Sequence, residues 1–277
     1  MKAQIVLTVN ESKKIIAKAI CSLPEVKNAL ARKKILLKGG TTVSAIAEEL
    51  VGIPLRICGR ISKRGTVSSQ IILVKHPHSI LVEKGKTKNI DDNIVEVVKN
   101  LGRGDIIIIS GNALDSQKNV GIMAGSVSGG NAGMAVSGMF SEGAEVIIPI
   151  GLEKLIPGTI RDASIIAGRK DVDVSYGMAV GLIPLYGKVV TEKDAVETLA
   201  KLNCTVIGKG GILGAEGSTV MVVEGLDKEV KKILKVIKEV KGADISGQRE
   251  SLEECKKGSP SCRSHSACIY LRSRSLK

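Results

Sequence analysis

Residues 34–50 read KILLKGGTTVSAIAEEL, and this stretch restricts the fold more than any other. A buried-strand pattern, Lys34 to Leu37, runs through Lys38 into Gly39, Gly40, Thr41 and Thr42. Val43, Ile46, Ala47 and Leu50 then recur at the spacing of one helix face. A strand that turns through glycine straight into a helix belongs to an α/β protein. The turn also has the makings of an anion site. Glycines let backbone N–H groups approach a ligand, the helix macrodipole favours negative charge, and Thr41, Thr42 and Lys38 add donors. The competing reading is a plain strand-to-helix turn with Thr41 as N-cap.

Length and composition agree with that class. The chain has 277 residues, 43% of them hydrophobic, enough for one large domain or two modest ones. Aromatics are limited to Phe140, Tyr176, Tyr186 and Tyr270, so the core is built from Ile, Val, Leu, Ala and Met. A chain so poor in rings is a weak candidate for stacking single-stranded nucleic acid. The formal net charge of +13 is spread over 56–64, 228–241 and the C-terminal segment. In 228–241 Lys and Glu interleave, as on a solvated helix face. Lys and Glu enrichment with few Gln fits a thermophile. A short strand pattern follows Met1 where a signal peptide would carry an apolar stretch, and no apolar run is long enough to span a bilayer. A cytoplasmic protein with no membrane partner is expected. Structural disulfides are not expected there, and Cys21, Cys58 and Cys204, each alone in an apolar segment, read as core residues.

Further along, strands are expected at 4–9, 55–58, 70–74, 105–110 and 145–150, with helices at 11–21, 24–32 and 93–101 and in the second part of 121–138. This predicts a mostly parallel sheet with helices on both faces over residues 1–181. Residues 182–241 read as strand 182–190, helix 192–202, strands 205–208 and 218–224, and helix 227–240. That order suggests a small α+β, ferredoxin-like unit. Residues 242–277 form a polar, Cys-containing tail.

Two stretches together resemble the superfamily of ribose-5-phosphate isomerase, glucosamine-6-phosphate deaminase, the CoA transferases and the lactate-utilisation proteins. The first is Gly39-Gly40-Thr41-Thr42 between strand and helix, similar to that superfamily's substrate-phosphate loop. The second is 104–115, GDIIIISGNALD, similar to its strand and following loop. The resemblance covers roughly residues 10–155. It implies a phosphorylated or otherwise anionic small metabolite as ligand and isomerisation or acyl/CoA transfer as the reaction.

The residues themselves add candidates. Asn112 and Asp115 end a parallel strand, where Asn112 would orient a substrate oxygen and Asp115 act as base; an Asx-turn is the alternative. Gly125, Ser126, Ser128, Gly129, Gly130 and Asn131 make a third loop, read as a phosphate nest or as close helix packing. Arg60 and Lys63 either close over an anion or sit in an exposed basic loop. Glu153, with Lys154 after it, is a second candidate catalytic carboxylate. His76 and His78, on either side of Pro77, read as surface residues. Cys255, Cys262, His265 and Cys268 carry zinc-type ligands, and an iron–sulfur cluster or free thiols are the alternatives. Basic residues around them leave an acidic partner or nucleic acid open. A second copy of the chain is an expected partner. Three functions follow: a metabolite-converting isomerase or transferase, a non-catalytic metabolite-binding module, and a metal- or cluster-dependent accessory protein.

Overall fold

In the computed structural model, which describes residues 1–68, 76–253, 262 and 264–271, the apolar runs become the middle of a six-stranded sheet. The chain begins with β1 (Lys2–Leu7), α1 (Val9–Ser22), α2 (Pro24–Arg32), β2 (Lys34–Lys38) and α3 (Thr41–Val51). Two hairpins follow, β3 (Gly59–Ser62) with β4 (Gly65–Ser68), and β5 (Ser79–Glu83) with β6 (Lys86–Asn89). Next come α4 (Ile94–Lys99), β7 (Ile106–Ile109), β8 (Ala113–Leu114), β9 (Val120–Ala124), α5 (Gly130–Met134), α6 (Val136–Ser141), β10 (Glu145–Pro149) and α7 (Ile160–Ile166). The last third holds β11 (Gly181–Leu185), β12 (Lys188–Val190), α8 (Glu192–Leu199), β13 (Leu202–Gly210), β14 (Ser218–Gly225) and α9 (Asp227–Val240).

The six-stranded sheet has the order β12-β10-β7-β2-β5-β6. Neighbours from β12 to β2 are parallel, and β5 and β6 extend the sheet in antiparallel fashion. Side chains alternate between its two faces. Ile35, Leu37, Ile106, Ile108 and Ile147 join a core with α1, α3, α8 and α9. Leu36, Ile107, Ile109, Val146 and Ile148 join a second core with α4, α6, β8 and β9. Burial on both faces explains why these strands read as unbroken apolar runs.

Several expectations change in three dimensions. Segment 55–58 is no ladder strand. Its amides are used elsewhere: Leu55 N–H donates to the Ser44 hydroxyl, Arg56 N–H to the Pro77 carbonyl and Ile57 N–H to the Ser251 hydroxyl. The expected strand 70–74 lies outside the described residues. The single strand expected at 182–190 is two: β11 pairs with β9, and β12 joins the six-stranded sheet. The expected ferredoxin-like unit is therefore split. Its β13 and β14 form an antiparallel sheet with β1, from the opposite end of the chain. One continuous core links Ile5, Leu7 and Ile16 to Val190, Met221, Val223 and Ile233 across the expected boundary at 181. Residues 242–253 are packed rather than loose. Gly242 N–H donates to Glu11, the Ser246 hydroxyl donates to Glu48 and is hydrogen-bonded to the Ser44 hydroxyl, and Gln248 N–H donates to the Leu55 carbonyl.

Candidate functional site

The chain leaves two neighbouring parallel strands toward opposite faces. After β2 it enters α3, whose Val43 and Ile46 lie in the first core; after β7 it continues through Leu114 and Val120 into the second. A crevice opens where connections diverge in this way, at the carboxyl ends of the strands, and such crevices are where open α/β sheets bind ligands. The loops after β2, β7 and β10 therefore line one edge.

The loop after β2 is shaped by two close approaches. A Cβ on Gly39 would meet the His78 carbonyl at 2.1 Å, so only glycine fits beneath that residue. Gly40 caps α3 with no side chain, which leaves the N–H groups of Thr41, Thr42 and Val43 outside the helix ladder. Beside them, the Thr42 hydroxyl is buried, 1% exposed for the residue, and has no hydrogen-bond partner. Buried hydroxyls are seldom left so, because desolvation without a partner costs free energy.

Lys38 faces the side of the sheet opposite Leu37, toward His78 and Cys58. Burial lowers its pKa, and Cys58 opposes the shift. His78 is half-buried and tied to its neighbours rather than free on the surface. Its Nδ1 lies 2.8 Å from the Arg56 carbonyl, and its backbone N–H donates to Asp91. Burial first, then Lys38, depresses its pKa to about 3, so the ring is neutral. A carbonyl partner assigns the proton to Nδ1 and leaves Nε2 as an acceptor. His76, by contrast, is exposed.

Beyond β10 a 3-10 turn, Leu152–Lys154, carries Glu153 and Lys154. The Lys154 ammonium donates to the Gly111 carbonyl at 3.0 Å, which ties this loop to the one after β7, and lies 3.9 Å from Glu153. Burial lowers the Lys154 pKa while Glu153 and Glu192 oppose the shift. The second Glu153 oxygen, Oε2, is buried without a partner. Two groups absent from the sequence reading complete this corner. Glu192, at the start of α8, accepts from Leu152 N–H at 2.9 Å and from the Thr219 hydroxyl at 2.8 Å. Burial raises its pKa, the hydrogen bonds from Leu152 and Thr219 pull it down, and Glu153 adds to the rise. Lys13, on α1, is 8% exposed; burial and Lys154 lower its pKa to about 8 against the opposing pull of Glu153. Lys13, Ile16, Ala17 and Ile20 fall on one helix stripe, so a lysine inside an apolar stripe was the available signal. Gly217, before β14, packs against both Val9 and Glu153 and brings the β13–β14 hairpin over this corner.

Other candidates are committed elsewhere. Asp115 accepts from the backbone N–H groups of Gln117, Asn119 and Ile160 and from the Asn119 side chain. Burial would raise its pKa, but these donors outweigh it and hold the carboxyl below its ordinary value. It is a loop staple, not an available base. The Asn112 side-chain oxygen accepts from Met123 N–H, so it is spent on the β7–β9 connection. Of the third loop, Gly125, Gly129 and Gly130 are half-buried, Ser126 and Ser128 are exposed, and Asn131 donates to the Asp91 carbonyl. Arg60 donates to the Ser251 and Glu253 carbonyls and clamps the C-terminal segment. Lys63 is exposed in the β3–β4 turn. In the tail, Cys255 lies outside the described residues. His265 is buried with Nδ1 unpartnered, and burial followed by Arg169 lowers its pKa. Among the described residues no three of His, Cys, Asp or Glu gather into a metal site. No described helix is long and apolar enough to cross a membrane.

Comparison with family models, curated proteins and solved structures yields no match to this chain.

Proposed function

We propose that the carboxyl edge of the sheet binds a phosphorylated or otherwise anionic small metabolite, with Glu153 as the carboxylate that moves its proton. The observation that carries this reading is the Thr42 hydroxyl, sealed and unpartnered beside the open N-terminus of α3. A ligand oxygen there would satisfy the hydroxyl and the helix N–H groups together. Lys38 and Lys154 bring positive charge to the same edge, and Glu153 keeps one sealed oxygen unused. The resemblance of Gly39–Thr42 to the phosphate loop of the isomerase and CoA-transferase superfamily points the same way, toward isomerisation or acyl transfer.

A thermal-shift series with sugar phosphates, CoA esters and nucleotides tests the reading. A hit should raise Tm, and Thr42→Val should abolish the rise. Thr42→Val should itself leave the unliganded protein as stable or up to about 1 kcal/mol more stable, since it removes an unsatisfied buried hydroxyl. A hit that survives Thr42→Val unchanged sinks the anion-loop reading. Stabilisation by a ligand with no turnover assigns a binding module instead of an enzyme.

A further inference from the structure

We propose that Lys13 is an imine-forming amine, placed to condense with the carbonyl group of a phosphorylated or carboxylated aldehyde or ketone. The proposal rests on the anion-binding reading above and names the substrate class of that site. Two lysines meet at this corner, and the fold treats them differently. Lys154 is tied as a cation by the Gly111 carbonyl and by Glu153. Lys13 has no hydrogen bond or ion pair among the described residues, and the charges that act on it are its neighbours Lys154 and Glu153. Its carbon stem is buried in the apolar stripe of α1. A lysine kept for its charge is given carboxylates. One held beside a second ammonium, with its stem buried and no hydrogen bond to its amine, is pushed toward the neutral form that attacks a carbonyl.

The helix that carries it is firmly set. The Thr8 and Glu11 capping box fixes the start of α1, and Glu11 also accepts from Lys241 and Gly242. In the reaction the lone pair of neutral Lys13 forms the C–N bond, and the carbonyl π pair moves to oxygen. Glu153 carries a proton from the adduct nitrogen to that oxygen twice, giving first the carbinolamine hydroxyl and then water, which leaves as the nitrogen lone pair closes the C=N bond. One amine and one carbonyl thus give one imine and one water, with no change in oxidation state. The unpartnered Glu153 oxygen is the proton carrier.

Pyridoxal 5′-phosphate and pyridoxal, each trapped with borohydride on the full chain and mapped by peptide mass spectrometry, test this. Lys13 should be labelled at least about ten-fold faster than exposed lysines by both probes. The phosphate should speed labelling further, and Thr42→Val should remove only that phosphate advantage. Lys13→Arg, which keeps the charge, and Lys13→Met, which keeps the stem, should both lose the fast adduct. Labelling of Lys13 no faster than exposed lysines, or fast labelling at Lys154 in its place, overturns the imine assignment. Fast labelling at Lys13 with no phosphate advantage supports the amine and overturns the anion reading alone.

Discussion

At Lys13 the surroundings set the protonation of a single side chain. Its amine is protonated in the unfolded chain up to the ordinary lysine value of 10.5, and in the folded protein only up to about 8. Below pH 8 the folded state carries the full cost of that burial. Between about pH 8 and 10.5 the unfolded chain binds more protons, so rising pH relieves the cost and stability increases. Lys13→Met should therefore be more stable than the parent at pH 7, by on the order of a few kcal/mol. The gap should close as pH rises through that window, with Lys154 and Glu153 as the charges that face the amine. Urea denaturation at pH 7, 8.5 and 10 measures it, and a gap that does not change with pH removes the depressed amine. His78 shows the same logic without a titration near neutrality, because its low pKa keeps the ring neutral throughout.

Among the loops, two acidic residues that look equivalent in sequence separate. Asp115 organises its turn and the start of α7 through four accepted hydrogen bonds, whereas Glu153 Oε2 accepts none. Asp115→Ala should cost about 2–3 kcal/mol, because it strands backbone N–H groups that have lost their acceptor. Glu153→Gln should change the denaturation midpoint little. The reverse ranking would show that Glu153 holds the fold and Asp115 does not. Local elements were readable where one pattern dominated: the isoleucine run of β7, the glycine turn into α3 and the Lys/Glu-faced stripe of α9. The β5–β6 hairpin was hidden because Lys86–Asn89 is exposed throughout and has no apolar alternation. Lys84 and Gly85 at positive φ were its one local mark.

At the scale of the whole molecule, the decisive contact joins the first described strand to the last. β1 adds to β14, and the core beneath them also holds α1, α3, α8 and α9. A chain cut after residue 181 should thus lack a cooperative unfolding transition, since it loses β14 and exposes Ile5, Leu7, Ile15 and Ile16. A sharp calorimetric peak from that fragment would show two independent domains. The amino-acid sequence by itself determined the α/β class, the parallel apolar strands and the glycine loop at the end of β2. These depend on periodicity and on glycine's lack of a Cβ, which neighbours in sequence already express. Only the tertiary structure decided that Lys13, Glu153, Lys154 and Glu192 share one corner, that Asp115 is spent on its own turn, and that β12 leaves its expected unit for the main sheet. Those outcomes follow from desolvation and from which donors reach which acceptors across long sequence separations, and neither is written in local pattern.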